Sequence, residues 1–158
     1  MEHLNKHSKS PYTKFVLMLA ASFAAMYVTM YLNTYETDHI YFSMTRFYMT
    51  CLGISTMAVI MWLFMRQMYQ NKKKNIAILL GSMVLFLSAF GLVRSQSPVI
   101  GDILYMKGMI PHHSIAILTS KRADIKDPEV RKLAHDIIKA QEKEITEMQQ
   151  YIKRLEAE

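Results

Sequence analysis

The run Met106-Lys-Gly-Met-Ile-Pro-His-His113 places two thioethers and two adjacent imidazoles within eight residues. On a helix, Met106, Met109 and His113 are spaced by three and four residues and share one face, with His112 flanking Met109. Thioether sulfur beside imidazole nitrogen is a donor set for a soft or borderline ion. Cu(I) fits it best, zinc and iron less well. Further along, Met148 is a candidate sulfur donor from a second helix, and Glu144 a carboxylate that accepts from a histidine ring or, equally, a solvated flank residue. Asp102, one turn before Met106, is either a ligand or a first-turn acid suited to the helix dipole. His135 lies off the apolar stripe and reads as a surface residue.

The elements that must hold these side chains are helical throughout. Ser97-Pro98 reads as an N-cap followed by a first-position proline, opening a helix that runs to about Arg122. Asp127-Pro128-Glu129 repeats that signal. Val130, Leu133, Ile137, Ile138, Ile145, Met148, Ile152 and Leu155 then form a stripe at helical spacing. The C-terminal part is therefore a helix hairpin turning through residues 123–127, with no strand pattern and no glycine-rich phosphate loop. Pro111 removes one backbone hydrogen bond inside the first of these helices, and the spacing predicts a kink that aims the two histidines.

Upstream, three runs approach the ~20 apolar residues needed to cross a bilayer: residues 13–32, 47–65 and 76–93. The first has lysines ahead of it, as a signal peptide would. Its apolar core is longer than the ~7–15 residues of such a leader, and it reads as an uncleaved anchor. The chain divides into a cytoplasmic N-terminal tail (1–12), a three-span anchor (13–93), a linker (94–98) and an exported helical metal-binding domain (99–158).

Charge supports this division. The 158 residues are 51% hydrophobic with a formal charge of +6, and five of those charges belong to residues 1–93. The cations there flank apolar runs instead of forming an aromatic-interleaved patch, which argues against nucleic acid and for membrane topology. Lys72-Lys73-Lys74 between the second and third runs places that loop and the N-terminus in the cytoplasm, and the C-terminal domain outside. Met57, Met61, Met65 and Met68 form a stripe on the second span; with no His, Asp or Glu beside them they read as packing or lipid contact and not as a metal path. The single cysteine, Cys51, is within a span and carries no functional signal.

Two segments, Asp102-Ile-Leu-Tyr-Met-Lys-Gly-Met-Ile-Pro-His-His-Ser-Ile-Ala-Ile117 and Leu133-Ala-His-Asp-Ile-Ile-Lys-Ala-Gln-Glu-Lys-Glu-Ile-Thr-Glu-Met148, closely resemble the bacterial family termed domain of unknown function three-zero-five. The resemblance covers residues 99–156 and implies a ferritin-like helical fold, export, and periplasmic copper binding linked to copper resistance. It implies that Asp102, Met109, His112, His113, Gln141, Glu144 and Met148 occupy the family's pattern positions. Thr119 stands near a position where family members often carry methionine, and the position of His135 is usually an ordinary polar or charged residue. The three-span anchor resembles a membrane-bound branch of the family.

The fold expected is all-α: three transmembrane helices and a ferritin-like hairpin that completes a four-helix bundle by forming a homodimer. The function expected is a periplasmic copper-binding protein of the bacterial inner membrane, not an enzyme, serving sequestration, tolerance or hand-off to a copper carrier or exporter. A ferritin-like dimetal oxidase is the first alternative, but such centres use several inward carboxylates with Glu-x-x-His pairs, and the helical domain of residues 99–158 has no Glu-x-x-His. A membrane interaction or signalling protein with incidental histidines is the second.

Overall fold

A computed structural model describes residues 10–96 and 98–158. The described residues form five α-helices and two short 3-10 turns, with no strand. The helices are α1 (Pro11–Thr29), α2 (Met44–Met65), α3 (Lys72–Ser95), α4 (Asp102–Arg122) and α5 (Pro128–Leu155). The polar tail before residue 10 and the cap expected at Ser97 lie outside the described residues.

Helices α1, α2 (with the 3-10 turn Arg66–Met68) and α3 are each long and apolar enough to cross a membrane. A 19-residue helix such as α1 extends roughly 28 Å, close to the hydrocarbon thickness. Few of their side chains are buried, as expected of helices whose outer faces meet lipid. Each begins with a side-chain cap: Ser10 accepts from the Thr13 N–H, Ser43 from Arg46, and Asn71 from Lys74. The middle span packs against both others. Gly53 makes room for the tip of Met26, which approaches to 2.6 Å of where a Cβ would stand.

One end of this block is tied by Tyr12. Its hydroxyl donates to Asn75 Oδ1 (3.0 Å) and accepts from the Asn71 N–H (2.9 Å). Phe15, Ala58 and Tyr69 form a buried cluster there, and Met61 and Met65 of the methionine stripe pack on it. The start of α1 and the lysines at the start of α3 therefore share one end of the block. The α1–α2 connection, the end of α3 and the C-terminal hairpin share the other.

Helices α4 and α5 form the expected antiparallel hairpin, turning between Arg122 and Pro128 with Asp127 capping α5 through the Glu129 and Val130 N–H groups. Met106, Ile110, Ile117, Ile145 and Ile152 make its buried core. The register is marked by ion pairs between Lys107 and Glu156 and between Lys121 and Glu142. The second pair puts the last turn of α4 opposite the middle of α5. The longer α5 therefore projects beyond its partner, which is why Val130 and Leu133 are exposed although they belong to the apolar stripe.

The start of α4 differs from the sequence expectation. Gly101 is the cap, and Pro98 lies in a turn before the helix. That turn is set by Gln96, which leaves α3 with φ 57°, caps it through its own N–H, and accepts from the Ile100 N–H (3.0 Å). Helix α4 then runs unbroken through Pro111.

Candidate metal centre

Helix α4 distributes the predicted donors around its circumference, so each is placed by what that side of the helix meets. Met106 lies on the side facing α5 and is buried among isoleucines, with Met148 packed on the same cluster. These two sulfurs, Asp102, Tyr105, Tyr151, Arg154 and Leu155 line a cleft of about 420 Å³ between the start of α4 and the end of α5. Met109 and His112 face the other way. They line a second cleft of about 520 Å³, closed on its far side by Thr45 and Arg46 of α2 and by Gln96. Tyr105 borders both.

His113 points between the two helices of the hairpin. Its Nδ1 lies 3.4 Å from Glu144 Oε2. The nitrogen is buried and makes no hydrogen bond, so the contact is an electrostatic approach and not an aligned bond. Burial pushes the His113 imidazole below its usual range; the Glu144 carboxylate pulls it upward, and neighbouring His112 lowers it further. The ring is thereby held in the neutral form that metals bind.

The seven predicted residues are thus brought together in three groups: Met106, Met148 and Asp102 at one cleft, Met109 and His112 at another, and His113 with Glu144 between the helices. Gln141 is half-buried on α5, and His135 is exposed, as its position off the stripe predicts. Thr119 is exposed and spends its hydroxyl on the Ile115 carbonyl (3.0 Å).

Sequence reading missed the residues that seat α4 on the membrane block. Ser114 is fully buried, and its hydroxyl accepts from the Tyr35 N–H (2.8 Å) and bonds His39 Nδ1 (3.0 Å). The Arg46 guanidinium donates to the Pro111 carbonyl (3.4 Å) and lies over the Tyr31 ring. Lys121 reaches the Tyr35 hydroxyl. The available signal was the polar run Glu36-Thr-Asp-His39 set between two apolar spans, which marks a loop with work to do.

Fold and site together define an all-helical protein with three helices long and apolar enough to cross a membrane and a C-terminal hairpin that carries thioether and imidazole side chains. Residues 97–157 match the family described as Domain of unknown function (DUF305). Over 136 residues the chain is 37% identical to the Uncharacterized protein L153 of Acanthamoeba polyphaga mimivirus, covering 84% of this chain and 87% of that protein. No solved structure matches it. The chain belongs to the domain of unknown function 305 family. The viral relative's alignment is longer than the matched domain, so the similarity reaches into the membrane block.

Proposed function

We propose that this protein is a membrane-anchored copper-binding protein in which the α4–α5 hairpin holds Cu(I) for sequestration, tolerance or transfer to a carrier or exporter. The carrying observation is that Met109 and His112, three residues apart, line the same open cleft. A thioether and an imidazole facing one space suit a soft monovalent ion. The Arg46 guanidinium on the far wall favours Cu(I) over a dication, because repulsion grows with the charge of the bound ion. His113, kept neutral and steered by Glu144, is the next donor, with Met148, Met106 and Asp102 at the adjoining cleft.

The orientation proposed puts the N-terminus and Lys72-Lys73-Lys74 in the cytoplasm and the hairpin outside, which is the periplasm for a bacterial inner membrane. The lysines at the start of α3 and the start of α1 share an end of the block opposite the hairpin, as this topology requires.

A homodimer is part of the proposal. The α5 overhang leaves Val130 and Leu133 exposed, and Tyr151 is exposed near the other end. A second copy laid along α5 would cover them and complete a four-helix bundle. The same exposed residues favour one competing reading, a docking protein with no metal.

Cu(I) titration of the full chain in mild detergent, against a competing chelator, tests the function. Wild type is expected to bind copper, and the pair His112→Ala with His113→Ala to lose most of it. Unchanged copper stoichiometry in the double variant would overturn this site, and a wild-type chain that binds no copper would favour the metal-free reading.

A further inference from the structure

The connection between α1 and α2 carries a second group of ligating side chains, remote in sequence from the methionines. The 3-10 turn Thr37–His39 brings Glu36, Asp38 and His39 to one side, with one donor atom from each lying within 4.8 Å of the others. His39 Nε2 is 3.9 Å from Glu36 Oε2 and 3.8 Å from Asp38 Oδ1.

The histidine is held in place. Its side chain is only 10% exposed, and its Nδ1 is taken by Ser114 Oγ at 3.0 Å. That hydroxyl is itself pinned by the Tyr35 N–H. The ring cannot turn without breaking this contact, so Nε2 stays aimed at the two carboxylates.

The separations are informative. At 3.8 and 3.9 Å they are too long for hydrogen bonds, which close at about 2.7–3.2 Å. Two donors each bonded at about 2.1 Å to one cation stand roughly 3.0–4.2 Å apart, depending on the angle between them. Glu36 and Asp38 are 55% and 65% exposed, so their carboxylates are free to swing inward, and the site opens to solvent for entry.

We propose that Glu36, Asp38 and His39 bind a divalent cation of the zinc class, and that the ion stiffens the α1–α2 connection where His39 seats it on α4. One imidazole and two carboxylates match the charge of a dication and leave positions for water. Without sulfur, the set selects against Cu(I), so this site and the thioether–imidazole cleft take different ions. Because His39 rests on Ser114, an ion held here stiffens the joint between membrane block and hairpin. The bond from Nδ1 to a hydroxyl is the outer contact by which proteins orient a ligating histidine. This inference stands independently of copper binding by the hairpin.

The test uses the full chain in mild detergent, stripped by a chelator, in the His112→Ala, His113→Ala background so that the α4 imidazoles cannot contribute. Titration with Zn2+ is expected to show one equivalent, which Glu36→Gln with Asp38→Asn removes; these near-isosteric changes on exposed side chains should leave the helical circular dichroism unchanged. Co2+ used as a coloured probe should report nitrogen and oxygen ligands without sulfur charge transfer. Zn2+ should also slow proteolysis within residues 30–43, an effect that the Glu36, Asp38 variant should lose. Zn2+ binding that survives Glu36→Gln with Asp38→Asn, or no binding at all, would overturn the proposal. So would equal protection of the connection in chelator and in Zn2+, which would make the cluster a metal-free latch of imidazole and carboxylates. Copper binding has its own readout in the wild-type background, so either result leaves the other interpretable.

Discussion

His113 Nδ1 approaches Glu144 Oε2 to 3.4 Å across the seam of the hairpin, although 31 positions of chain separate the two residues. Burial lowers the affinity of this imidazole for a proton, and Glu144 opposes that effect. In the unfolded chain His113 takes up its proton near pH 6.5, before the folded chain does. The unfolded state thus binds more protons as pH falls below about 6.5, and folding stability declines through that window. His113→Gln should flatten this part of the stability–pH profile, measured by denaturant unfolding in detergent. Glu144→Gln should move the His113 titration, followed by NMR, to lower pH; movement to higher pH would contradict the assignment.

The two methionines of the α4 motif should separate by function. Met106 is buried among Ile110, Ile117, Ile145 and Ile152, whereas Met109 lines an open cleft with His112. A Met to Leu exchange conserves volume and usually costs less than about 1.5 kcal/mol. Both Met106→Leu and Met109→Leu should therefore fold. Met109→Leu should weaken Cu(I) binding about tenfold or more, and Met106→Leu much less. Equal losses would move the copper site toward the α4–α5 seam.

Core and surface positions on the hairpin should differ sharply. Ile117 is 1% exposed at the centre of the seam, and Ile117→Ala should cost about 2–5 kcal/mol through lost contacts and a residual cavity. Asp127→Ala removes a cap that accepts two backbone N–H groups and should cost about 1 kcal/mol. His135→Ala, at an exposed site on α5, should stay within about 0.5 kcal/mol and leave copper binding unchanged. Thermal unfolding followed by circular dichroism ranks the three.

Topology is checked with reporter fusions. A reporter active only outside the cytoplasm, fused after Glu158, should be active; the same reporter fused near Lys73 should be silent. The reverse pattern would place the hairpin in the cytoplasm and remove the periplasmic part of the functional proposal.

Much of the architecture was readable from local chemistry. Apolar runs of bilayer length mark α1 to α3, because a lone helix in lipid must satisfy its backbone internally and carry apolar side chains. Asp127-Pro128 marks the start of α5, because a cap and a first-position proline act within one turn. The antiparallel hairpin follows from two helical segments, the second with a clear apolar stripe, and a short connection, and the family membership from the Met-Ile-Pro-His-His run with its downstream partner.

Other features depended on contacts between distant segments, which spacing along one helix does not encode. Spacing alone grouped Met106, Met109 and His113 on one face; packing then split them, because α5 claims the side bearing Met106 and His113 while α2 and Gln96 border the side bearing Met109 and His112. Ser114 looks like an ordinary helix residue until the α1–α2 connection arrives to bond it through Tyr35 and His39. Glu36, Asp38 and His39 look like a solvated loop until burial of His39 against α4 fixes which ring nitrogen is left facing the carboxylates. Composition and periodicity determined the helices and the donors they carry. Which donors share a space was decided by how the hairpin seats on the membrane block, a matter of three-dimensional register and not of sequence distance.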